Sequence, residues 1–297
     1  MFVCPYHAWS YRLDGSLRRA REMPEGFDPV AHGLKSLPLA EIGGLIFIAF
    51  DPDPPSLAEA APALSAMLEL FAWPSARIAL RRSYSVAANW KLAMENYHEC
   101  YHCAPAHPEF ALAHALARPN MRSLGGPADA ASGLADYEAW GEGLDGREVA
   151  RVMRSHLSQG FATGSRDGRL LAPPMGQGGQ RQDGLCVFAE LGFLSAFLAY
   201  PDHGVIYRFL PRGPLLTDME VIWLVDGAAQ AGRDYDEAEL AWLWDVTTLA
   251  DKQIIERNQA GVASRFYEPG PFSLMEPGAA QYVERYAAEF TQIVGTA

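Results

Sequence analysis

Four short runs rich in β-forming residues lie between residues 185 and 225, and a long helical segment follows them. Successive runs separated by short connections are typical of strands that pair antiparallel. The helical segment extends from about Asp236 to Gln259 and ends just before Gly261, a common helix terminator. An antiparallel sheet followed by a long helix predicts an α+β fold. The four runs are Leu185–Glu190, Ala196–Tyr200, Val205–Leu210 and Met219–Val225.

The first part of the chain is predicted to form short strands and turns. Asp14–Gly15 is a turn signal between apolar ends, and Leu45–Phe50 is typical of a buried strand. The proline-rich segment Asp51–Pro55 interrupts the chain and is the expected domain boundary. We therefore expect one domain over residues 1–52 and a second over residues 53–297.

Periodicity and chain-breaking residues predict the remaining elements. They are helices over residues 57–72, Asn89–Cys103 and Asp136–Leu157, a strand over residues 78–88, an irregular excursion over Pro173–Asp183 and a last helix from Pro277 onward.

The charge balance excludes several classes of partner. The net charge is −12 and the pI about 5.1, without a Lys/Arg-rich block, so no nucleic-acid partner is expected.

No apolar run approaches the roughly 18 residues of a membrane span. The N-terminal residues lack the pattern of a secretory signal, which makes the reducing cytoplasm the expected location. Four cysteines in a chain of this length do not predict a disulfide framework.

The densest group of metal-ligand residue types lies within residues 89–110. Glu99 and His102 are three residues apart and would share one face of a helix. His102 and His107 are five apart, about 140° on an ideal helix, so both can reach one ion only if the helix ends between them. Two nearby prolines supply such a break. The spacing predicts one histidine at a helix end and the other on a turn.

Two neutral imidazoles on such a turn suit Fe, Zn, Cu or Ni. A single carboxylate would complete a two-His-one-carboxylate face, which leaves coordination positions open for O₂ and substrate. The best donor is Asp251, near the edge of the apolar face of the predicted late helix. Two structural histidines in a polar, proline-rich loop are the alternative interpretation that the spacing leaves open.

At these residues the sequence resembles the α-subunits of Rieske non-haem iron oxygenases, the aromatic-ring-hydroxylating dioxygenase family. Three separated segments carry the resemblance in the expected order. They are Asn89–Lys91, Glu95–Tyr97, Glu99–His102 and His107–Pro108 for the iron motif, Cys4–Trp9 with Leu13–Gly15 for the second half of the Rieske motif, and Asp251–Glu256, Gln259, Gly261 and Tyr267–Pro271 for the carboxylate region.

The resemblance implies a Rieske β-domain followed by a helix-grip (START-like, SRPBCC) catalytic domain. His102, His107 and Asp251 would hold Fe(II), and Glu99 would link His102 to a cluster ligand of a neighbouring subunit. Electrons would come from an NAD(P)H-dependent reductase or a ferredoxin through a [2Fe–2S] cluster. The reaction would use O₂ and a small-molecule substrate. Transfer between subunits implies a homo-oligomer, commonly a trimer.

The match to the cluster motif is partial. A Rieske cluster needs two cysteines and two histidines, and Cys4 and His7 match only the later pair. We therefore expect an N-terminally truncated α-subunit, through a misassigned start or a shortened gene. The remaining alternative is a different metal, for example zinc with Cys100 and Cys103. Those two cysteines, and Cys186, are otherwise expected to pack in the interior.

The segment Glu99–Cys103 resembles the branch that acts on quaternary ammonium compounds, such as glycine betaine, stachydrine and carnitine. Aromatic rings bind such cations through their quadrupoles. The candidate pocket rings are Tyr200, Tyr207, Phe209 and Trp223, whose alternative role is ordinary sheet core. Hydroxylation or oxidative N-demethylation is the expected reaction. The alternatives are an aromatic-ring dihydroxylating dioxygenase, and a non-redox helix-grip ligand-binding protein or inactive fragment.

Overall fold

The computed structural model divides the chain into two compact units. It describes residues 1–51, 53–54, 56–57, 61–114, 150–181 and 183–295, with side chains described as far as residue 291. One unit comprises Met1–Glu41 and Leu45–Ser56, and the other comprises Ile42–Gly44 and Leu57–Ala297. The boundary expected between residues 52 and 53 stays a prediction.

The N-terminal unit is made of very short strands. Its described residues form a three-stranded sheet in the order β1-β2-β3, a two-stranded sheet β4-β5 and a short 3-10 helix, Val30–His32. The predicted turn at Asp14–Gly15 is confirmed: it lies between β2 and β3, where Ser16 N donates to Asp14 Oδ1 over 2.9 Å. The strands are β1 (Phe2–Val3), β2 (Ser10–Tyr11), β3 (Leu17–Arg19), β4 (Leu39–Ile42) and β5 (Leu45–Ile48).

The expectation of a buried strand over Leu45–Phe50 is wrong in two respects. The strand β5 ends at Ile48, and the side chains of Ile46 and Ile48 are 70% and 59% exposed. Successive side chains of a strand point to opposite faces, so an apolar run alone does not bury both faces.

The second unit is built on a six-stranded antiparallel sheet in the order β6-β11-β10-β9-β8-β7. The four predicted runs are all strands of this sheet, and each pairs antiparallel with its sequence neighbour, as expected. The predicted strand over residues 78–88 is also confirmed and pairs with β11. The strands are β6 (Arg77–Val86), β7 (Ala150–His156), β8 (Leu185–Leu191), β9 (Ser195–Ala199), β10 (Gly204–Gly213) and β11 (Leu216–Val225).

The helices confirm most of the prediction. The long helix α6 begins after Asp236, whose side chain accepts hydrogen bonds from Ala238 N and Glu239 N at 2.8 and 2.9 Å. None of the helices in the described part of the chain is both long and apolar enough to cross a bilayer. The helices are α1 (Pro62–Leu70), α2 (Trp90–Tyr97), α3 (Cys103–Ala106), α4 (Pro108–Ala113), α5 (Gly176–Arg181), α6 (Glu237–Val262) and α7 (Pro277–Gly295).

Two predicted segments differ from the structure. Residues 150–156 of the predicted helix form strand β7, because they pair along β8, while residues 136–149 lie outside the described residues. The excursion predicted over Pro173–Asp183 contains helix α5. The glycines of this segment do not predict a helix, but they are needed for close packing. A Cβ on Gly179 would lie 2.2 Å from the Pro201 carbonyl oxygen.

Helix α6 packs its apolar side against the sheet and thereby fixes the position of its later residues. Leu243 and Trp244 are buried in the same core as Trp223 of β11. Asp245 of the same helix contacts the edge strand β6: it accepts a hydrogen bond from Tyr84 and pairs with Arg82 at 2.7 Å. These contacts hold the helix about two turns before Asp251.

Candidate metal centre

The turn that follows α2 is organised by the Glu99 carboxylate. Its Oε2 accepts hydrogen bonds from the backbone N–H groups of Tyr101 and His102, and its Oε1 accepts one from His102 Nδ1. Glu99 therefore fixes both the backbone of the turn and the orientation of the His102 ring. Helix α2 ends at Tyr97, so the predicted helix Asn89–Cys103 is too long and Glu99 and His102 meet on a turn.

The two histidines lie at the ends of the four-residue helix α3. His102 precedes its first residue, and His107 follows its last with the non-helical backbone angles φ −142° and ψ 79°. Pro108 then starts α4. The predicted break between the histidines is thus present, although His102 caps a short helix and does not end a long one. The sharp change of chain direction points both rings at one place.

Asp251 of α6 meets both rings. Its Oδ1 atom lies 3.2 Å from His102 Nε2 and 3.0 Å from His107 Nε2. Two ligands at right angles around an ion, each at about 2.1 Å, lie about 3.0 Å apart. Both carboxylate–imidazole separations therefore match this value, and the three side chains have the chemistry of a two-His-one-carboxylate metal face. His107 is only 2% exposed and the Asp251 side chain 18%, so the face is largely shielded from water.

The charges of these groups are strongly coupled. Burial opposes a charge on His102, but its hydrogen bonds to Asp251 and Glu99 prevail and raise the His102 pKa to about 9. Burial would raise the pKa of Asp251, but the bonds from His102 and His107 hold it below the ordinary value. The carboxylate is thus kept ionised. A divalent cation between the same donors takes the place of the shared proton.

Asn96 is a site residue to which the sequence pattern assigned no separate role. Its side-chain nitrogen, on the last turn of α2, lies 3.2 Å from His102 Nε2. Beside His102 is a concavity of about 200 Å³. Its polar lining comes from Asn96, Glu99 and His102, together with Glu95, Asn258 and Glu276.

The four predicted pocket rings are all buried in the sheet core, and none lines this concavity. Tyr207 nevertheless belongs to a continuous cluster of rings that starts at His107. From His107 the ring centroids step 5.4 Å to Phe110, 5.3 Å to Trp244 and 5.4 Å to Tyr207. Phe209 follows at 6.0 Å. A substrate role for these rings stays a prediction.

His114 joins this aromatic cluster and was missed by the sequence pattern. It lies flat against Phe110, with ring centroids 4.0 Å apart. Its Nδ1 donates to the Phe110 carbonyl at 3.0 Å, and its Nε2 accepts from the Tyr200 hydroxyl at 2.7 Å. Burial lowers the His114 pKa to about 4. The imidazole is therefore neutral, as both bonds require.

The expectation that Cys100 and Cys103 only pack is wrong. Their sulfurs form a disulfide across the turn that carries His102, with Cα atoms 4.8 Å apart. Cys100 is exposed and Cys103 buried. A bridge between cysteines three residues apart closes only one turn of chain, so the cysteine count and spacing did not predict it. Cys186 is buried in β8, as predicted.

Cys4 and His7 lie on the loop of the β1–β2 hairpin. The loop is closed by Cys4 N, which donates to Trp9 O over 2.8 Å, and Ala8 adopts a left-handed φ of 58°. A Rieske cluster needs two cysteines and two histidines. Since the other cysteines are in the disulfide and in β8, this chain's residues supply half of that ligand set.

Comparison with known proteins places this arrangement in a family. The model of the ring-hydroxylating α-subunit catalytic domain matches residues 75–292. The glycine betaine monooxygenase oxygenase subunit of Chromohalobacter salexigens is 35% identical, over 96% of this chain and 66% of that protein. That of Pseudomonas aeruginosa strain PAO1 is 31% identical, over 99% and 70%. The carnitine monooxygenase oxygenase subunit of Escherichia coli K12 is 42% identical over 37% of this chain and 30% of that protein.

Solved structures share the fold. The quaternary ammonium Rieske monooxygenase CntA with a bound inhibitor superposes with a TM-score of 0.68 at 20% identity, over 97% of this chain and 71% of that one. Naphthalene 1,2-dioxygenase from Rhodococcus gives 0.62 at 15% identity, over 97% and 74%. The chain belongs to the ring-hydroxylating α-subunit family of Rieske oxygenases, an oxidoreductase family, as its motifs predicted. It spans 66–70% of the length of the glycine betaine relatives.

The buried neutral His114 predicts an acid-sensitive fold. In the unfolded chain His114 is protonated below the ordinary histidine pKa of about 6.5. In the native state it is protonated only near pH 4. The contribution of neutral His114 to the free energy of unfolding is therefore fully present above pH 6.5. It decreases by about 3 kcal/mol as the pH falls towards 4. His114→Gln, which cannot titrate, should flatten the fall in urea-unfolding free energy across this range. The exposed His156→Gln is the control, and an unchanged slope in His114→Gln contradicts the assignment.

Proposed function

We propose that this chain is the catalytic part of a Rieske-type monooxygenase α-subunit that oxidises a quaternary ammonium compound. The observation that carries the proposal is that Asp251 Oδ1 lies 3.2 Å from His102 Nε2 and 3.0 Å from His107 Nε2. Membership of the Rieske oxygenase family supports the reaction type, and these three side chains provide a site for the metal. These three side chains would hold Fe(II), and the bound metal would supply O₂ activation for oxidation of the substrate.

The chain's own residues have distinct tasks in this proposal. His102, His107 and Asp251 hold the iron and leave the remaining positions open. Glu99 accepts a hydrogen bond from His102 Nδ1–H, which leaves Nε2 to face the metal, and it also accepts one from the backbone N–H of His102 in the turn. Asn96 lies within hydrogen-bond distance of the same ring and is placed to contact a group bound beside it. Burial of His107 excludes water from one side of the face.

The substrate class rests on the relatives and on the ring cluster. The glycine betaine and carnitine enzymes act on small quaternary ammonium compounds. Rings that lead inward from His107 suit a methylated cation, whose charge is attracted to aromatic faces. Tyr97, whose ring is 5.6 Å from Tyr207, has a buried hydroxyl without a partner among the described residues. That hydroxyl is available to a polar group of the substrate.

The wider organisation follows the family. Residues 1–52 are the C-terminal part of a Rieske domain, to which Cys4 and His7 contribute two cluster ligands, and residues 53–297 form a helix-grip catalytic domain. A reductase or ferredoxin is the electron donor, the subunits form a trimer, and the enzyme works in the cytoplasm. The structural relatives include a quaternary ammonium enzyme described with inter-subunit electron transfer, which supports the oligomer.

Removal of the carboxylate ligand provides the direct test. Wild-type protein loaded with Fe(II) without oxygen and then desalted should retain about one iron per chain. Asp251→Ala should lose the iron. Loss of a residue that only supports a metal ligand lowers metal affinity roughly 10–100-fold, and loss of the ligand itself should lower it further. Iron analysis measures both.

The matched control is Glu239→Ala on the same helix. The half-exposed Glu239 side chain pairs with Arg166 at 3.5 Å and lies twelve residues before Asp251, so this variant should retain its iron. Circular dichroism establishes that each variant is folded. Folded wild type without iron, or full iron retention by Asp251→Ala, contradicts the proposed site.

Calorimetric titration of the iron-loaded protein tests the substrate class. Glycine betaine should bind, and benzoate, an aromatic alternative, should not. Tyr207→Leu removes a ring worth about 1 kcal/mol to a cation and should weaken binding roughly fivefold. Tyr207→Phe keeps the ring and should bind like wild type, although both variants lose the hydroxyl bond to Thr248. Preferential binding of benzoate favours an aromatic-ring dioxygenase instead.

A further inference from the structure

The disulfide between Cys100 and Cys103 brackets His102, one of the proposed iron ligands. The bridge joins the residue after Glu99 to the first residue of α3, with His102 between them. No other pair of cysteines in the chain is bridged, since Cys4 and Cys186 are free. The bridge contributes little to tying the fold together, because it closes a loop of one turn. Its position beside the metal donors calls for a different role.

The buried sulfur is close to the donors themselves. Cys103 Sγ and ring nitrogens of His102 and His107 all lie within 4.8 Å of one another. Donors that share one ion at about 2.0–2.3 Å are no more than about 4.6 Å apart. A small side-chain rotation therefore suffices to bring a free Cys103 sulfur onto the ion held by the two histidines.

Only the reduced sulfur can act in this way. A thiolate is a metal ligand, whereas a sulfur that is bonded to a second sulfur carries no negative charge to donate. Cys103 would join His102 and His107 at the ion, and Asp251, whose Oδ1 contacts both histidines, would complete a four-ligand set. Four protein ligands that include a thiolate form the closed, tetrahedral type of site that zinc prefers and that has no open position.

We propose that Cys100 and Cys103 are a reversible thiol switch that selects the metal and opens or closes the site. The disulfide keeps Cys103 from binding metal and leaves the open two-His-one-carboxylate face. Reduction frees Cys103 to ligate, which favours Zn(II) over Fe(II) and fills the position that O₂ needs. This inference rests on the proposed metal site.

The exchange is chemically balanced with ordinary reagents. A thiol attacks the exposed Cys100 sulfur and Cys103 leaves; a second thiol then releases Cys100, so that two thiols become one disulfide. In the other direction hydrogen peroxide oxidises the two cysteines to the disulfide and is reduced to two waters. In reducing compartments disulfides are mostly of this transient, redox-sensing kind.

Cobalt(II) is the probe, because a sulfur ligand adds a ligand-to-metal charge-transfer band in the near ultraviolet to its d–d bands. The metal-free full chain is titrated with Co(II) without oxygen, either after peroxide treatment or after reduction by a phosphine that is then removed. We expect the sulfur band only in the reduced protein. Thiol counts in denaturant should be two for the oxidised chain, from Cys4 and Cys186, and four for the reduced chain.

Two single variants form a matched pair. Cys100→Ser leaves Cys103 permanently free and should show the sulfur band without reduction. Cys103→Ser retains only the exposed Cys100 and should lose the band in both states. Circular dichroism checks their folding, and the reduced wild type gives the same information without substitution.

The outcomes separate the switch from the metal site. The switch is refuted if reduced wild type and Cys100→Ser bind Co(II) with the same spectrum as Cys103→Ser. It is also refuted if peroxide-treated wild type retains four free thiols. If no form binds Co(II), the metal site itself is wrong and the switch falls with it.

Discussion

The two contacts of the Asp251 carboxylate with His102 and His107 hold the functional arrangement together. They join residues that are 149 and 144 positions apart in the sequence. The histidines belong to a short turn, which is shaped by Glu99 and contains only the four-residue helix α3. The carboxylate belongs to the 26-residue helix α6, which packs against the sheet. The site therefore joins two donors on a short turn to a third donor on a long helix.

The surroundings reinforce this division. On the turn side, Glu99 satisfies two backbone N–H groups and one ring nitrogen, so that a single side chain shapes the loop and aims the imidazole. On the helix side, Trp244 buries the face of α6 against the aromatic cluster that reaches His107 through Phe110. A polar layer thus faces the metal position and an apolar layer lies behind it, which keeps the charged donors partly dry and strengthens their interactions.

The sequence predicted the parts of this protein whose signals are local. The strands from β8 to β11 contain runs of apolar residues, and α6 has a cap at Asp236 and a long periodic pattern. The family motif predicted the residues that meet at the site, although periodicity alone favoured Asp251 only weakly among the late acids.

The failures have long-range causes. Residues 150–156 were predicted as helix, yet pairing with β8 makes them a strand, because tertiary hydrogen bonds override a weak local preference. Gly178 and Gly179 masked α5, since a helix composed for close packing resembles a loop in composition. The Cys100–Cys103 bridge and the role of His114 depend on which side chains meet, and spacing does not encode that.

The most direct test of the account is a crystal structure of the protein loaded with Fe(II) without oxygen, with anomalous diffraction collected at the iron edge. The account predicts one strong anomalous peak about 2.0–2.2 Å from His102 Nε2, His107 Nε2 and an Asp251 carboxylate oxygen. A peak elsewhere, or an empty site between these three side chains in iron-loaded crystals, would contradict it.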